Sequence, residues 1–150
     1  MQEAVNKRIN IAVKVMFWVL VALFIIVVTS IVADNLNAYI SFWISFFVPA
    51  GLAVLIGIAI IILAARSGYD RLARSFLILT GSSMAGILAG ALLHNLIYGL
   101  VMRFGEGSGI IESVGGFIEA AFFIIGTLVS PIGFLVGAVG TIVLIAKKRI

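Results

Sequence analysis

Four long uncharged stretches divide this chain: Val15–Ala33, Asn35–Ala65, Ser75–Met102 and Ala120–Ala146. A helix needs about 20 predominantly apolar residues to cross a ~30 Å hydrocarbon layer, and each stretch reaches that length. The stretches are apolar all round and rich in glycine, which excludes helices lying in the membrane interface, since those need one strongly charged face. Spanning β-strands are excluded too, because they come as segments of about ten alternating residues. The sequence therefore predicts an all-α integral membrane four-helix bundle. Its four transmembrane helices run up-down-up-down over roughly residues 12–33, 39–65, 75–102 and 113–146, as a single domain with no room for a soluble one.

The charges predict an orientation. Lys7, Arg8 and Lys14 precede the first stretch, Arg66, Arg71 and Arg74 separate the second from the third, and Lys147, Lys148 and Arg149 follow the fourth. Arg103 alone among the basic residues lies on the other side, with Asp34, Glu106 and Glu112. Cytoplasmic loops carry the Lys/Arg excess, so both termini are expected in the cytoplasm, in the plasma membrane of a prokaryote. Aromatic residues mark both headgroup levels, Phe17 and Trp18 at the inner one, Tyr39, Phe42, Trp43, Tyr98 and Phe104 at the outer one. The run Val15–Ala33 exceeds the roughly 7–15 residues of a signal-peptide core, so it is expected to stay as a span.

Composition narrows the chemistry. At 63% hydrophobic residues, with 10 Lys and Arg against 6 Asp and Glu, the chain carries too few charges to cover a soluble globule. Its basic residues sit at helix ends, which points to anionic lipid headgroups as partners and away from nucleic acid. The absence of cysteine removes disulfides, thiolate metal sites and thiol catalysis. A single histidine argues against a metal site within one chain, and no cofactor is expected.

Small residues and prolines predict how the helices meet. The third stretch carries Ser82, Gly86 and Gly90 at four-residue spacing, and the fourth carries Gly126, Ser130, Gly133 and Gly137. Such rows let backbones approach closely, which matters in lipid because hydrophobic burial does not drive helices together there. Their expected use is packing of the third helix on the fourth, with association between subunits as the alternative. A weak echo links Val48-Pro49-Ala50-Gly51 with Ser130-Pro131-Ile132-Gly133. Pro49 and Pro131 each remove an intrahelical hydrogen bond and are expected to kink their helices.

One polar cluster interrupts the apolar pattern: His94, Asn95, Tyr98, Arg103 and Glu119. His94 and Glu119 are nearly equidistant from the turn Gly105-Glu106-Gly107-Ser108-Gly109, so adjacent antiparallel helices bring them to one depth. His94 lies about 13 Å of helix axis from Arg103. An ionisable residue inside a span is by default a functional candidate. The pair is expected either to hold and pass a proton or to pin two helices together. Arg103 is expected to pair with Glu106 or Glu112 at the rim, while Asp34, Asn35 and Asn37 end the first helix in water.

Two motif-like strings carry nothing. Ser83 in Gly81-Ser82-Ser83-Met84-Ala85-Gly86 lies about 16 Å along its helix from His94, too far for a nucleophile and base. The glycine-rich turn lacks the Lys and Ser/Thr of a phosphate-binding loop. An enzyme would have only Glu119 and His94 as acid and base. The expected function is an accessory or structural subunit, or a self-assembling homo-oligomer, acting through helix packing. The alternative is a small oligomeric transporter or channel using the His/Glu pair.

Overall fold

The structure is a computed structural model that describes residues 2–32, 39–105, 108–147 and 150, and the side chains within 7–30, 46–105, 108–147 and 150. Asp34, Asn35, Asn37, Glu106, Lys148 and Arg149 lie outside the described residues, as do the side chains of Tyr39, Phe42 and Trp43. The described residues are helical throughout, apart from short turns. Helix α1 spans Gln2–Val32, α2 Tyr39–Arg66, α3 Arg71–Phe104, α4 Gly109–Ile124 and α5 Ser130–Ala146. A π turn, Ile125–Val129, joins α4 to α5, so that Gly109–Ala146 is one continuous rod. Four rods long and apolar enough to cross a bilayer make this a multi-pass membrane protein.

Each rod buries a seam with alternating steps of four and three residues. The seams are Val13-Phe17-Leu20-Phe24-Val27, Phe46-Ala50-Ala53-Gly57-Ile60-Ala64, Ala73-Leu77-Thr80-Met84-Ile87 and Ser130-Phe134-Gly137-Thr141-Leu144. A 3.5-residue repeat on nearly antiparallel helices is the knobs-into-holes geometry of left-handed bundles. Helix α3 is the hub, packing on α2, α4 and α5, while α1 packs chiefly on α2. Phe24 and Phe134 stack at 4.0 Å between ring centroids and tie α1 to α5. Helix α4 buries no residue and rests mainly on α3.

The close approaches are made by small residues. A Cβ built at Gly57 would lie 2.7 Å from the Gly81 carbonyl oxygen, and one at Gly81 would lie 2.5 Å from that of Gly57. Between α3 and the last rod a ladder runs through Gly90 on Gly126, Gly86 on Ser130, Ser83 on Gly133 and Thr80 on Gly137. Ser82 lies outside this ladder, exposed, with its hydroxyl donating to the Leu79 carbonyl. A strict four-residue row (82, 86, 90) drifts off a left-handed seam, which follows the 3.5-residue repeat instead.

The turn between α2 and α3 is tightly bonded. The Asp70 carboxylate accepts from the Ala73 N–H at 2.7 Å and caps α3, and Arg74 Nη2 donates to the Ser67 carbonyl. The Tyr69 hydroxyl is buried there without a hydrogen-bond partner, and burial pushes the phenol up from 10.0 to about 12. Between those two pH values the unfolded chain loses the proton and the folded chain keeps it. Stability is therefore expected to fall as pH rises through that window, and to be unaffected by this group below it. Thermal melts in detergent across the window check this. Tyr69→Phe discards a hydroxyl that makes no bond, so it should flatten the decline and cost nothing at neutral pH.

Candidate functional site

One turn beyond Gly90, where the backbones of α3 and the last rod meet, the sequence places a histidine followed by an asparagine. At that level His94 Nδ1 stands 3.4 Å from Glu119 Oε1, each side chain being about a quarter exposed (26% and 24%). The two are within ion-pair reach but not aligned for a hydrogen bond, so Nδ1, itself inaccessible, has no hydrogen-bond partner. Phe123, one turn along from Glu119, packs its ring 5.2 Å from the imidazole.

His94, though not Glu119, lines a cavity of about 400 Å³ formed where α1, α2 and α3 meet the π turn. Val27, Val28, Phe46, Ile87 and Phe123 make its apolar wall, and His94, Asn95 and Thr127 its polar groups. Pockets of a few hundred Å³, mostly apolar with a few placed polar groups, are typical of small-molecule sites. The π turn helps to create the space. Ser130 N–H reaches back five residues to the Ile125 carbonyl, and Pro131, which follows, has no N–H to offer. Single π turns inside α-helices recur at functional sites.

The other members of the polar cluster are arranged differently. Asn95 is exposed and donates from Nδ2 to the Ala91 carbonyl at 2.7 Å. Tyr98 is half exposed on the next turn. Arg103 is exposed near the end of α3, its guanidinium 5.9 Å from the centroid of the Phe104 ring, and Glu112 is exposed on α4. Pro49 lies within α2, and Pro131 lies in the first turn of α5 and lines the cavity. Among the described residues no three His, Asp or Glu side chains converge as a metal site would require.

Sequence reasoning missed Phe123, Thr127 and the apolar wall from α1 and α2. A signal for Thr127 was present: it stands four residues before Pro131, where the proline's missing N–H would have bonded. Depth is set by length. Helix α3, 34 residues long, extends about 51 Å, well beyond a ~30 Å hydrocarbon core. Along the helix axis His94 is about 30 Å from Arg74 and about 13 Å from Arg103, so the pair lies nearer the end of α3 remote from the basic turn.

Comparison with protein-family models, curated proteins and solved structures returns no match for this chain.

Proposed function

We propose that the protein is a small membrane carrier whose working site is the cavity beside His94 and Glu119, with the pair holding the proton that accompanies or gates transport. The basic end faces the cytoplasm of a prokaryotic plasma membrane, in line with the Lys/Arg excess, and anionic headgroups meet it there. One observation carries the proposal. An imidazole that lines an apolar cavity of about 400 Å³ stands 3.4 Å from a carboxylate. A purely structural pin would be better served by a direct hydrogen bond, which the pair does not make.

The small-residue rows favour this function over assembly, because Gly86, Gly90, Gly126, Ser130, Gly133 and Gly137 are spent within the chain. A role as an accessory subunit or self-assembling component draws its support from α4 instead, which buries no residue of its own. A strictly monomeric particle in lipid nanodiscs without a co-purifying partner removes that role and leaves the carrier intact.

Proteoliposomes loaded with a pH-sensitive dye test the carrier. The wild-type protein is expected to speed the collapse of an imposed proton gradient, and Glu119→Gln to slow that rate at least tenfold. Equal rates with protein and with empty liposomes would end the proposal.

A further inference from the structure

Helix α4 is the least anchored part of the fold. It buries no residue and rests mainly on α3, whereas α5, the other half of the same rod, buries six. The π turn Ile125–Val129 separates the two halves, and Pro131 just beyond it contributes no N–H to the rod. Sharp bends in helices fall at π turns and prolines. A fulcrum stands at the same level, where Gly126 meets Gly90 backbone to backbone. On one side of it α5 is fixed to α3 by the ladder of small residues. On the other, α4 touches α3 through Gly115 on Val101, Phe123 beside the imidazole, and Glu119 beside His94. That last is the one charged contact between the two helices among the described residues. The outward face of α4 exposes Ile110, Val114, Phe117 and Ile124, all apolar, so hydrocarbon accepts the helix in a second position with little penalty.

We infer that α4 is a gate, swinging on the π turn and Pro131 to make and break the contact between His94 and Glu119. A segment with few buried contacts opens locally far more readily than the core it leaves. A few residues at the end of an element are enough to absorb such a hinge motion. Helical rise gives the amplitude. Glu119 is seven residues from Gly126, about 10 Å along the axis, and Ile110 is sixteen, about 24 Å. A bend of about 20° at the turn carries Glu119 about 4 Å from its place and the far end of α4 about 8 Å. Phe123 travels with α4 and forms part of the cavity wall, so the same swing opens the cavity beside His94. The place of this gate in transport rests on the carrier proposal, to which it adds control of access to the pair.

Two measurements on the full chain test the gate. In nanodiscs, spin labels on Ile110→Cys and Leu55→Cys, both exposed positions, read α4 against α2 by pulsed electron resonance. Glu119→Gln removes the charge beside His94 and is expected to add a second distance, several ångströms from the first. Val139→Cys in place of Ile110→Cys reports on α5 and should keep one distance throughout. Pro131→Ala gives the rod back an N–H and should reduce the second population severalfold. In proteoliposomes, Val101→Cys with Gly115→Cys locks the gate. A Cβ at Gly115 lies 3.6 Å from Val101 Cβ, inside the ~3.5–4.5 Å that a disulfide spans. The oxidised protein is expected to carry protons at least tenfold more slowly than the same protein reduced, which also controls for folding. One unchanged distance in both wild type and Glu119→Gln overturns the gate, and so does an oxidised protein as fast as the reduced one. Two distances with no proton flux above that of empty liposomes end the carrier alone. Flux with α4 held at one distance ends the gate alone.

Discussion

Gly90→Leu is expected to part α3 from the last rod, cost about 3 kcal/mol or more, and abolish the His94–Glu119 contact. A Cβ at Gly90 would lie 2.5 Å from Gly126 Cα, 2.7 Å from Gly126 N and 2.9 Å from the Phe122 carbonyl oxygen. All three are backbone atoms, which cannot swing aside as a flexible side chain can, so the two helices must separate. His94 lies one turn beyond Gly90 on the same face, so the separation is carried directly to the pair. The chain has no cysteine of its own, which makes the readout clean. His94→Cys with Glu119→Cys should be joined by a short thiol crosslinker in the wild-type background and fail to join with Gly90→Leu present. Gly116→Ala is the control. Nothing lies within 4 Å of a Cβ there, so its stability should match or exceed that of wild type. If Gly90→Leu melted like Gly116→Ala, the α3–α4 approach described above would be wrong.

Phe134→Ala carries the second large effect, expected at about 3 kcal/mol in reversible unfolding from detergent into sodium dodecyl sulfate. Phe134 is 1% exposed, and its ring stacks on Phe24 at an interplanar angle of 16°. In water much of such a loss would be hydrophobic transfer. In lipid that part shrinks, because the unfolded reference is also surrounded by hydrocarbon, and lost packing against a cavity makes up most of the cost. The stack ties α1 to α5, so the substitution should loosen α1 in particular and raise its hydrogen exchange before that of α3. Leu135→Ala, on the neighbouring exposed position, should change stability by less than about 0.5 kcal/mol. Equal costs at both positions would mean that the Phe24–Phe134 stack adds nothing to the hold of α2 on α1.

The spans were legible because a bilayer imposes length and composition on any helix that crosses it. The neighbourhood of His94 and Glu119 was legible for a similar reason. A short turn between antiparallel helices ties residues equidistant from it to one level, and these two stand 3.4 Å apart. The buried seams were not legible. In a soluble bundle, polar residues outline a 3.5-residue repeat, but here Leu55 and Val139 face outward as readily as Ile60 and Phe134 face inward. With apolar residues on every side, the pattern has no contrast. The same blindness hid Phe46, Phe123 and Thr127. Their importance comes from which helix lies opposite, and neighbours in sequence carry no trace of that.

What the amino-acid order settled by itself is the number of crossings, their alternation and the gathering of positive charge at one end. The first two follow from the cost of placing unbonded backbone or charge in hydrocarbon, a cost paid segment by segment, and the third is the Lys/Arg bias of the connecting loops. Which faces meet was decided only in three dimensions, as were the π turn before Pro131 and the cavity it borders. Between helices immersed in lipid, packing is won by shape and by a few polar groups, and shape belongs to the assembled bundle.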